Sequence, residues 1–322
     1  MTSEGRPDAS AAAYGGKNWS PRTASLREEV GVVWRECGLA SEWEPLRAVL
    51  LHRPGAELDV VTDPDASLML APLDPAAVRA QHDELAEAYR SAGVSVHYVE
   101  PAETPPPNQM FCADVLFMTP EGAVLGRPAS TVRAGEERWI AARLARMGIP
   151  ILRTIRGHGV FEGADALWLS PHRVMVGRGL RTNAEGAVQV AATLEEQGVS
   201  TVEVEVPHAA MHLMGQIRIV DRDLAFVRRD RTSRRAVEAL EEEGYRVAFF
   251  ASEEEIRDGM ANNFVVLGPR RVLLPAGNPV SMAALEAEGV ECVEVPVGAI
   301  TRAAGAIGCL TGVLARGPVT DP

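Results

Sequence analysis

A repeating order of secondary-structure signals constrains the fold of this 322-residue chain more than any single motif does. Between residues 115 and 295, the order strand, turn, strand, helix, strand occurs in four consecutive units, with a period of roughly 50 residues. The units share no obvious sequence similarity, so the repeat is one of structure. The two ends of the chain are expected to supply a fifth unit together. A closed ring of such ββαβ units would bring one loop of each unit to its centre.

The elements are predicted from apolar periodicity and from Gly and Pro turn signals. The predicted strands are 46–51, 94–99, 115–118, 123–125, 149–154, 166–169, 174–176, 201–206, 216–220, 224–227, 245–250, 264–267, 272–274 and 291–295. The predicted helices are 25–40, 75–92, 133–147, 184–197, 232–243 and 280–288. This alternation indicates an α/β fold.

The composition indicates a globular protein with a sizeable core, since 46% of the residues are hydrophobic and 24% are charged. Residues 1–24 are polar and rich in Gly, Ala and Ser, and we expect them to form a disordered tail. Residues 25–322 are expected to form a single domain. A net charge of −12 disfavours nucleic acid and anionic membranes as partners, whereas it tolerates a cationic substrate.

The four cysteines indicate neither a metal site nor a disulfide framework. They form no C-x-x-C pair, and they are few for a chain of this length. We therefore expect no metal and no other cofactor. The N-terminus lacks the apolar stretch of a signal peptide, and no apolar run is long enough to cross a bilayer. A cytoplasmic, reduced protein is the expectation.

The residues that suggest chemistry fall in the loops that the ring would bring to its centre. These loops are 108–114, 159–165, 211–215, 258–263 and 305–309. They contain Cys309, His212 and Glu162, and a thiol, an imidazole and a carboxylate are the parts of a nucleophilic cysteine site. Each residue alone is also compatible with a structural role, because small buried cysteines and core histidines are common. Their shared placement favours a catalytic site.

Short motifs that occur in a fixed order resemble landmarks of the guanidino-group modifying superfamily. The matching segments are 41–46, 161–165, 179–186, 211–213, 274–279 and 308–311, and the similarity runs over residues 40–316. Residues 181–186 match an R-T-N-x-x-G stretch of the dimethylarginine dimethylaminohydrolase branch. Arginine deiminases and amidinotransferases are other members. The resemblance implies the pentein fold, a five-bladed α/β propeller with pseudo-fivefold symmetry.

The resemblance also implies roles for individual residues. Cys309 is the expected nucleophile, His212 the general acid and base, and Glu162 the carboxylate that orients the histidine. The expected substrate-binding residues are Asp114, Arg181, Asn108 and Asp165. The implied activity is hydrolysis of a guanidino C–N bond in an arginine-like or substituted guanidine, through a covalent S-alkylthiouronium.

The substrate-binding positions match the family only in part. Asp114 is expected to bind the guanidinium, and Arg181 a substrate carboxylate. Asn108 and Ala113 stand where methylarginine hydrolases usually carry acids, so free dimethylarginine is expected to be a poor substrate. Met214 stands where arginine deiminases and amidinotransferases carry Asp, which argues against those two activities.

Two alternatives to hydrolysis remain open at this stage. An amidinotransferase would use the same residues and pass the amidino group from the cysteine to an amine instead of water. A non-catalytic pentein would bind a partner and need no thiol, imidazole and carboxylate around one centre. The expected partners are a small guanidino substrate and, as one option, a second copy of the chain in a homodimer.

Overall fold

The computed structural model describes residues 10–208 and 210–317. Residues 1–9 of the expected tail and residues 318–322 of the expected domain lie outside the described residues. Residues 10–24 are largely exposed and contain one short 3₁₀ turn, Ala12–Tyr14, and disorder of the tail stays a prediction. Within the described ranges, no helix is long and apolar enough to cross a membrane.

The described strands form five sheets of three strands each. The strands are β1 Leu46–Leu51, β2 Ser95–Tyr98, β3 Leu116–Thr119, β4 Gly122–Leu125, β5 Ile151–Thr154, β6 Ala166–Ser170, β7 Arg173–Arg178, β8 Ser200–Glu205, β9 Ile217–Asp221, β10 Leu224–Val227, β11 Arg246–Phe249, β12 Val265–Gly268, β13 Arg271–Pro275, β14 Glu291–Val295 and β15 Gly312–Arg316. The sheets are β3–β4–β5, β6–β7–β8, β9–β10–β11, β12–β13–β14 and β15–β1–β2. The predicted five-bladed α/β propeller is confirmed.

Each blade follows the same path. Its middle strand pairs antiparallel with the first strand and parallel with the third, as β7 does with β6 and β8. A parallel pair needs a crossover, and one helix supplies it in every blade. The helices are α1 Leu26–Glu29, α2 Pro75–Ser91, α3 Cys112–Val115, α4 Glu136–Met147, α5 Ala184–Glu195, α6 Arg234–Glu242, α7 Glu253–Gly259, α8 Pro279–Ala287, α9 Gly298–Thr301 and α10 Ile307–Leu310. The crossover helices are α2, α4, α5, α6 and α8.

The ring is closed by a blade that both ends of the chain build. β15 supplies its first strand and pairs antiparallel with β1, with Leu46 opposite Arg316 and Leu50 opposite Gly312. β1 in turn pairs parallel with β2. The predicted fifth unit is therefore present, and its first strand begins just after Cys309.

The core lies between blades. β3, β4 and β12 are buried along their whole length. Trp168 is fully buried at the contact between the first two blades, where its ring stacks on Phe117 at a centroid distance of 5.9 Å. Its indole N–H donates to the carbonyl oxygen of Met118 at 3.1 Å, so its one polar atom has a partner.

One predicted helix was wrong, and several short helices were missed, α7 among them. The helix predicted over 25–40 is helical only at Leu26–Glu29, where Ser25 and Glu28 form a capping box. The helical path ends at Val30, which is extended, and Gly31 then turns the chain with a left-handed φ of 85°. Helix α7, Glu253–Gly259, was missed because its one buried side chain, Ile256, gives no apolar periodicity.

A close backbone approach explains the glycine of the R-T-N-x-x-G stretch. A Cβ on Gly186, in the first turn of α5, would lie 2.0 Å from the carbonyl oxygen of Val160. We therefore expect Gly186→Ala to lower the free energy of unfolding by about 1–3 kcal/mol, because backbone must shift to admit the methyl group. Urea unfolding measures the effect. Gly298→Ala is the matched control, since a Cβ at this first position of α9 meets nothing within 4 Å. A Gly186→Ala protein as stable as the control would contradict the assignment.

Candidate active site

Each blade brings one polar side chain to the centre of the ring, at the residues that lead into its first strand. These residues are Asp114 in α3, Glu162 before β6, His212 before β9, Asn263 before β12 and Cys309 in α10. The predicted convergence of the central loops therefore has a simple cause: all five first strands begin at the same end of the propeller.

His212 and Glu162 form a buried, hydrogen-bonded pair. His212 Nε2 lies 2.7 Å from Glu162 Oε2, and the side chains are 3% and 0% exposed. The backbone N–H of Ala129 donates to the other carboxylate oxygen, Oε1, at 3.1 Å. The carboxylate thus fixes the ring of His212 and leaves its Nδ1 atom directed toward Asp114, 3.8 Å from Oδ1.

Arg133 is a buried cation that sequence reasoning missed. Its guanidinium donates to Glu136 at 2.7 and 3.1 Å, to Asp114 Oδ2 at 2.6 Å and to Glu162 Oε2 at 3.4 Å. Arg133 follows an ordinary loop at the start of a predicted helix, where arginines are usually solvated. Only the fold shows that one cation holds three buried carboxylates together.

Only one of the two carboxylate oxygens of Asp114 is hydrogen-bonded within the described residues. Arg133 donates to Asp114 Oδ2, while the buried Oδ1 has no hydrogen-bond partner among the described residues. An unpaired buried carboxylate oxygen is costly, and a ligand that brings N–H donors relieves the cost. Asp114 and Cys309 line the same narrow pocket. The free oxygen is therefore available to a donor bound beside the thiol.

Cys309 is almost fully buried and is held by Asn263. The Nδ2 of Asn263 donates to Cys309 Sγ at 2.9 Å, and the backbone N–H of Cys309 donates to Asn263 Oδ1 at 3.1 Å. Burial, with a further contribution from the charge of Asp114, raises the pKa of the Cys309 thiol to about 11. The Asn263 hydrogen bond and the charge of Arg218 act in the opposite direction without offsetting the rise. At neutral pH the empty site therefore holds a thiol.

The imidazole of His212 is charged at neutral pH. Burial alone lowers its pKa, but the charges of Asp114 and Glu162 outweigh burial and raise the pKa to about 9. Burial acts to raise the pKa of Glu162, whereas the bond to His212 and the charge of Arg133 lower it below its usual value. The pair is therefore an imidazolium and a carboxylate up to about pH 9.

The pocket contains most of the predicted substrate-binding residues. Its lining consists of Leu68, Asn108, Phe111, Asp114, Arg133, Arg181, Met211, Ala303, Ala304 and Cys309. Asn108 donates its amide to the carbonyl oxygen of Ser67 at 2.8 Å, and Arg181 donates to Glu162 Oε1 at 3.3 Å. That bond uses one nitrogen of Arg181 and leaves others for a ligand.

Asp165, the remaining predicted substrate-binding residue, is outside this lining. Its carboxylate accepts hydrogen bonds from Thr182 Oγ1 at 2.7 Å and from the backbone N–H of Leu213 at 2.9 Å. Burial raises its pKa to about 6. This geometry favours a positioning role, in which Asp165 holds the backbone next to His212, over contact with substrate.

Three residues of the site could also ligate a metal ion. Asp114, Glu162 and His212 offer ligand atoms that all lie within 4.8 Å of one another. Arg133 already donates to Asp114 Oδ2, and Glu162 already accepts from Arg133, Arg181 and His212, so most of the ligand atoms that a metal would need are occupied. The arrangement fits binding of the carboxylates by guanidinium groups better than it fits a metal.

Comparisons with known proteins agree with this geometry. A family model for arginine deiminase matches residues 101–244. A dimethylarginine dimethylaminohydrolase from Mycobacterium tuberculosis is 29% identical over 247 residues, which are 75% of this chain and 77% of that protein. The enzyme of the same name from Pseudomonas aeruginosa, solved with citrulline, has a TM-score of 0.68 at 21% identity and covers 85% of this chain and 100% of its own.

An amidinotransferase from Microseira wollei also shares the fold, with a TM-score of 0.68 at 15% identity over 88% of this chain and 99% of its own. The five-bladed α/β propeller is the pentein fold. The chain is similar to members of the guanidino-group modifying superfamily, near the dimethylarginine dimethylaminohydrolases and arginine deiminases.

Removal of Arg133 tests whether it neutralises the buried carboxylates. We expect Arg133→Met to lower the free energy of unfolding by about 3–5 kcal/mol, because Glu136, Asp114 and Glu162 lose their shared cation. Thermal or urea unfolding measures this. Arg146→Met is the matched control, an exposed arginine in the last turn of α4, the helix that begins shortly after Arg133. Equal stability of the two variants would overturn the central role of Arg133.

Proposed function

We propose that this protein is a cysteine-dependent hydrolase that cleaves a guanidino C–N bond. The observation that carries the proposal is the unpartnered Oδ1 of Asp114, which shares a pocket with Cys309 and lies 3.8 Å from His212 Nδ1. A guanidinium presents N–H donors in a plane, so it satisfies this oxygen and places its central carbon beside the sulfur. Relatives named dimethylarginine dimethylaminohydrolase support the reaction class.

Substrate binding itself activates the nucleophile in this proposal. The charge of Asp114 helps to raise the pKa of Cys309, so an empty site disfavours the thiolate. A bound guanidinium neutralises that charge and adds a cation next to the sulfur. Both effects lower the pKa of Cys309, and the thiol proton leaves to bulk water. The nucleophile therefore forms when its substrate is present.

The remaining steps use His212 twice. The thiolate attacks the guanidino carbon, and the His212 imidazolium donates its Nδ1 proton to the departing amine nitrogen, which leaves an S-alkylthiouronium on Cys309. Neutral His212, held by Glu162, then takes a proton from water as the water attacks the same carbon. Collapse of this adduct breaks the C–S bond and releases a urea-type product and the thiolate. Above pH 9 the imidazolium is lost, and with it the acid of the first step.

Transfer to an amine is the alternative outcome of the same intermediate. Met214 is buried in the same core cluster as Ala113 and Ala164, and as a methionine it offers the guanidinium no second carboxylate. A substituted nitrogen can then occupy that side of the guanidinium and leave. Hydrolysis and transfer differ only in what attacks the thiouronium, and product analysis with and without added amines separates them. A non-catalytic binding protein would show neither product.

The covalent intermediate provides the direct test of mechanism. When turnover of a guanidino substrate is stopped with acid, we expect an amidino adduct on the peptide that contains Cys309. In heavy-oxygen water the label should enter the product, because water supplies its new oxygen. Cys309→Ser should bind substrate and form no adduct, and His212→Ala should lower kcat by about 10²–10⁴-fold. An unlabelled product with the amidino group on an added amine would establish transfer instead.

The charge of the pocket predicts which guanidines react well. Asp114 is the one carboxylate of the described pocket lining, and the guanidinium uses it. The α-ammonium of dimethylarginine would then be desolvated without an acidic partner, which is costly. We expect kcat/KM for ω-guanidino carboxylates that lack this group to exceed that for free dimethylarginine by at least about tenfold, or ~1.4 kcal/mol. Mass-spectrometric assays of both series measure it, with Cys309→Ser as the blank. Equal or better use of dimethylarginine would refute the prediction.

A further inference from the structure

The centre of the propeller contains a second space, lined by apolar side chains and a few charged ones, on the backbone side of Cys309. Two adjoining cavities of about 80 and 70 Å³ lie between the first strands of the blades. Both are lined by Glu42, Leu167, Met214, Arg218, Thr311, Val313 and Arg316, and we call this space the central channel. Gly308 and Thr311 are among its wall residues, so the channel runs along the backbone that carries Cys309.

Two guanidinium groups in the channel have unused donors. Arg218 donates through Nε to the carbonyl oxygen of Asn262 at 2.8 Å, while its buried Nη2 has no partner. Arg316 donates through Nη1 to the carbonyl oxygen of Glu44 at 2.8 Å, while its buried Nε has no partner. Neither arginine forms an ion pair with a carboxylate of the described residues. Nearly all buried donors in native proteins are satisfied by protein, ordered water or a ligand, so these two nitrogens indicate polar occupants of the channel.

The charges of the channel do not balance. Glu42 is its one carboxylate in the described lining, and it accepts a hydrogen bond from the backbone N–H of Trp168 at 2.9 Å. Burial raises the pKa of Glu42 and lowers the pKa of Arg218 to about 10, with the neighbouring charge of Arg316 lowering the latter further. Two cations therefore face one acid in a confined space. Such a site gains stability from an added negative charge.

We propose that the central channel binds one small monovalent anion, a halide or a formate-sized carboxylate, between Arg218 and Arg316. The unused N–H groups of both arginines are its donors. A water occupies about 30 Å³ of liquid, so the cavities admit an ion with a few waters and exclude nucleotides and other large anions. This site is separate from the guanidine pocket and goes beyond the proposed hydrolysis.

The anion site is linked to Cys309 through Arg218. A Cβ on Gly308 would lie 2.4 Å from Arg218 Nη2, so the guanidinium rests against the residue before the cysteine. Its positive charge favours the thiolate, and Asp114 opposes it from the other side. An anion bound to Arg218 offsets that positive charge. Anion binding and thiolate formation therefore oppose each other, and the effect is reciprocal.

Bromide is the probe for the site itself. Crystals of the full chain grown or soaked in bromide should show an anomalous peak within hydrogen-bond distance of both Arg218 and Arg316. The Arg316→Gln protein should lose the peak, whereas Arg271→Gln, which removes an exposed arginine paired with Glu291, should keep it. Absence of any bromide in the wild-type channel would overturn the proposal, and this result does not depend on whether a variant folds.

Alkylation of Cys309 by iodoacetamide tests the link without any turnover. Rates are followed by mass spectrometry of the Cys309 peptide, because Cys292 is also partly accessible. At equal ionic strength, chloride should slow the reaction about fivefold or more relative to gluconate, which is too large for the channel, and should move the pH profile upward.

Arg316→Gln should abolish the difference between chloride and gluconate, and Arg271→Gln should retain it. Bromide in the channel with no effect of chloride on alkylation would support the site and overturn the link to Cys309. Because the substrate is absent throughout, failure of the hydrolase proposal would leave both results unaffected and would appear only in the product assays.

Discussion

The pairing of β15 with β1 is the constraint on which the rest of the structure depends. It joins the last described strand to the first and turns four consecutive blades into a closed ring. Cys309 lies in α10, just before β15, so the same pairing fixes the thiol against loops from the other blades. Without this pairing, the C-terminal segment that carries Cys309 would not be held next to Asp114 and His212. The site is therefore a property of the ring and of no single blade.

Charge is the second constraint, because the centre of the ring is buried and contains many ionised groups. Arg133 donates hydrogen bonds to Asp114, Glu136 and Glu162. Glu162 is also hydrogen-bonded to Arg181 and His212. This network keeps Glu162 ionised and His212 protonated at neutral pH. Burial raises the pKa of Glu136 to about 7. Among the cations of this network, Glu136 is hydrogen-bonded only to Arg133, which does not offset the effect of burial. Within this network, Asp114 Oδ1 is the carboxylate oxygen that has no hydrogen-bond donor among the described residues. The arrangement is thus prepared for one further cation with N–H donors.

The sequence predicted the parts of this structure that depend on local pattern. Strands and crossover helices show apolar periodicity, and turns are marked by Gly and Pro. Strand β1 was predicted at its observed bounds, Leu46–Leu51. The convergence of the central loops followed from the repeat. Arg133 and Asn263 could not be predicted in the same way, because their importance comes from partners distant in sequence. Arg133 contacts Asp114 and Glu162, and Asn263 contacts Cys309, only after the ring has closed.

In the proposed hydrolase, the position of Cys309 between two charged spaces explains how a thiol with a pKa of about 11 becomes a nucleophile. On the pocket side, Asp114 opposes ionisation until a guanidinium covers it. On the channel side, the positive charge of Arg218 favours the Cys309 thiolate, and an anion bound to Arg218 would weaken this effect. Neither group needs to move for the balance to change, because each acts through charge at a fixed position. Under the two proposals, a substrate cation and a channel anion have opposite effects on the same sulfur, and the closed ring places the two sites on its two sides.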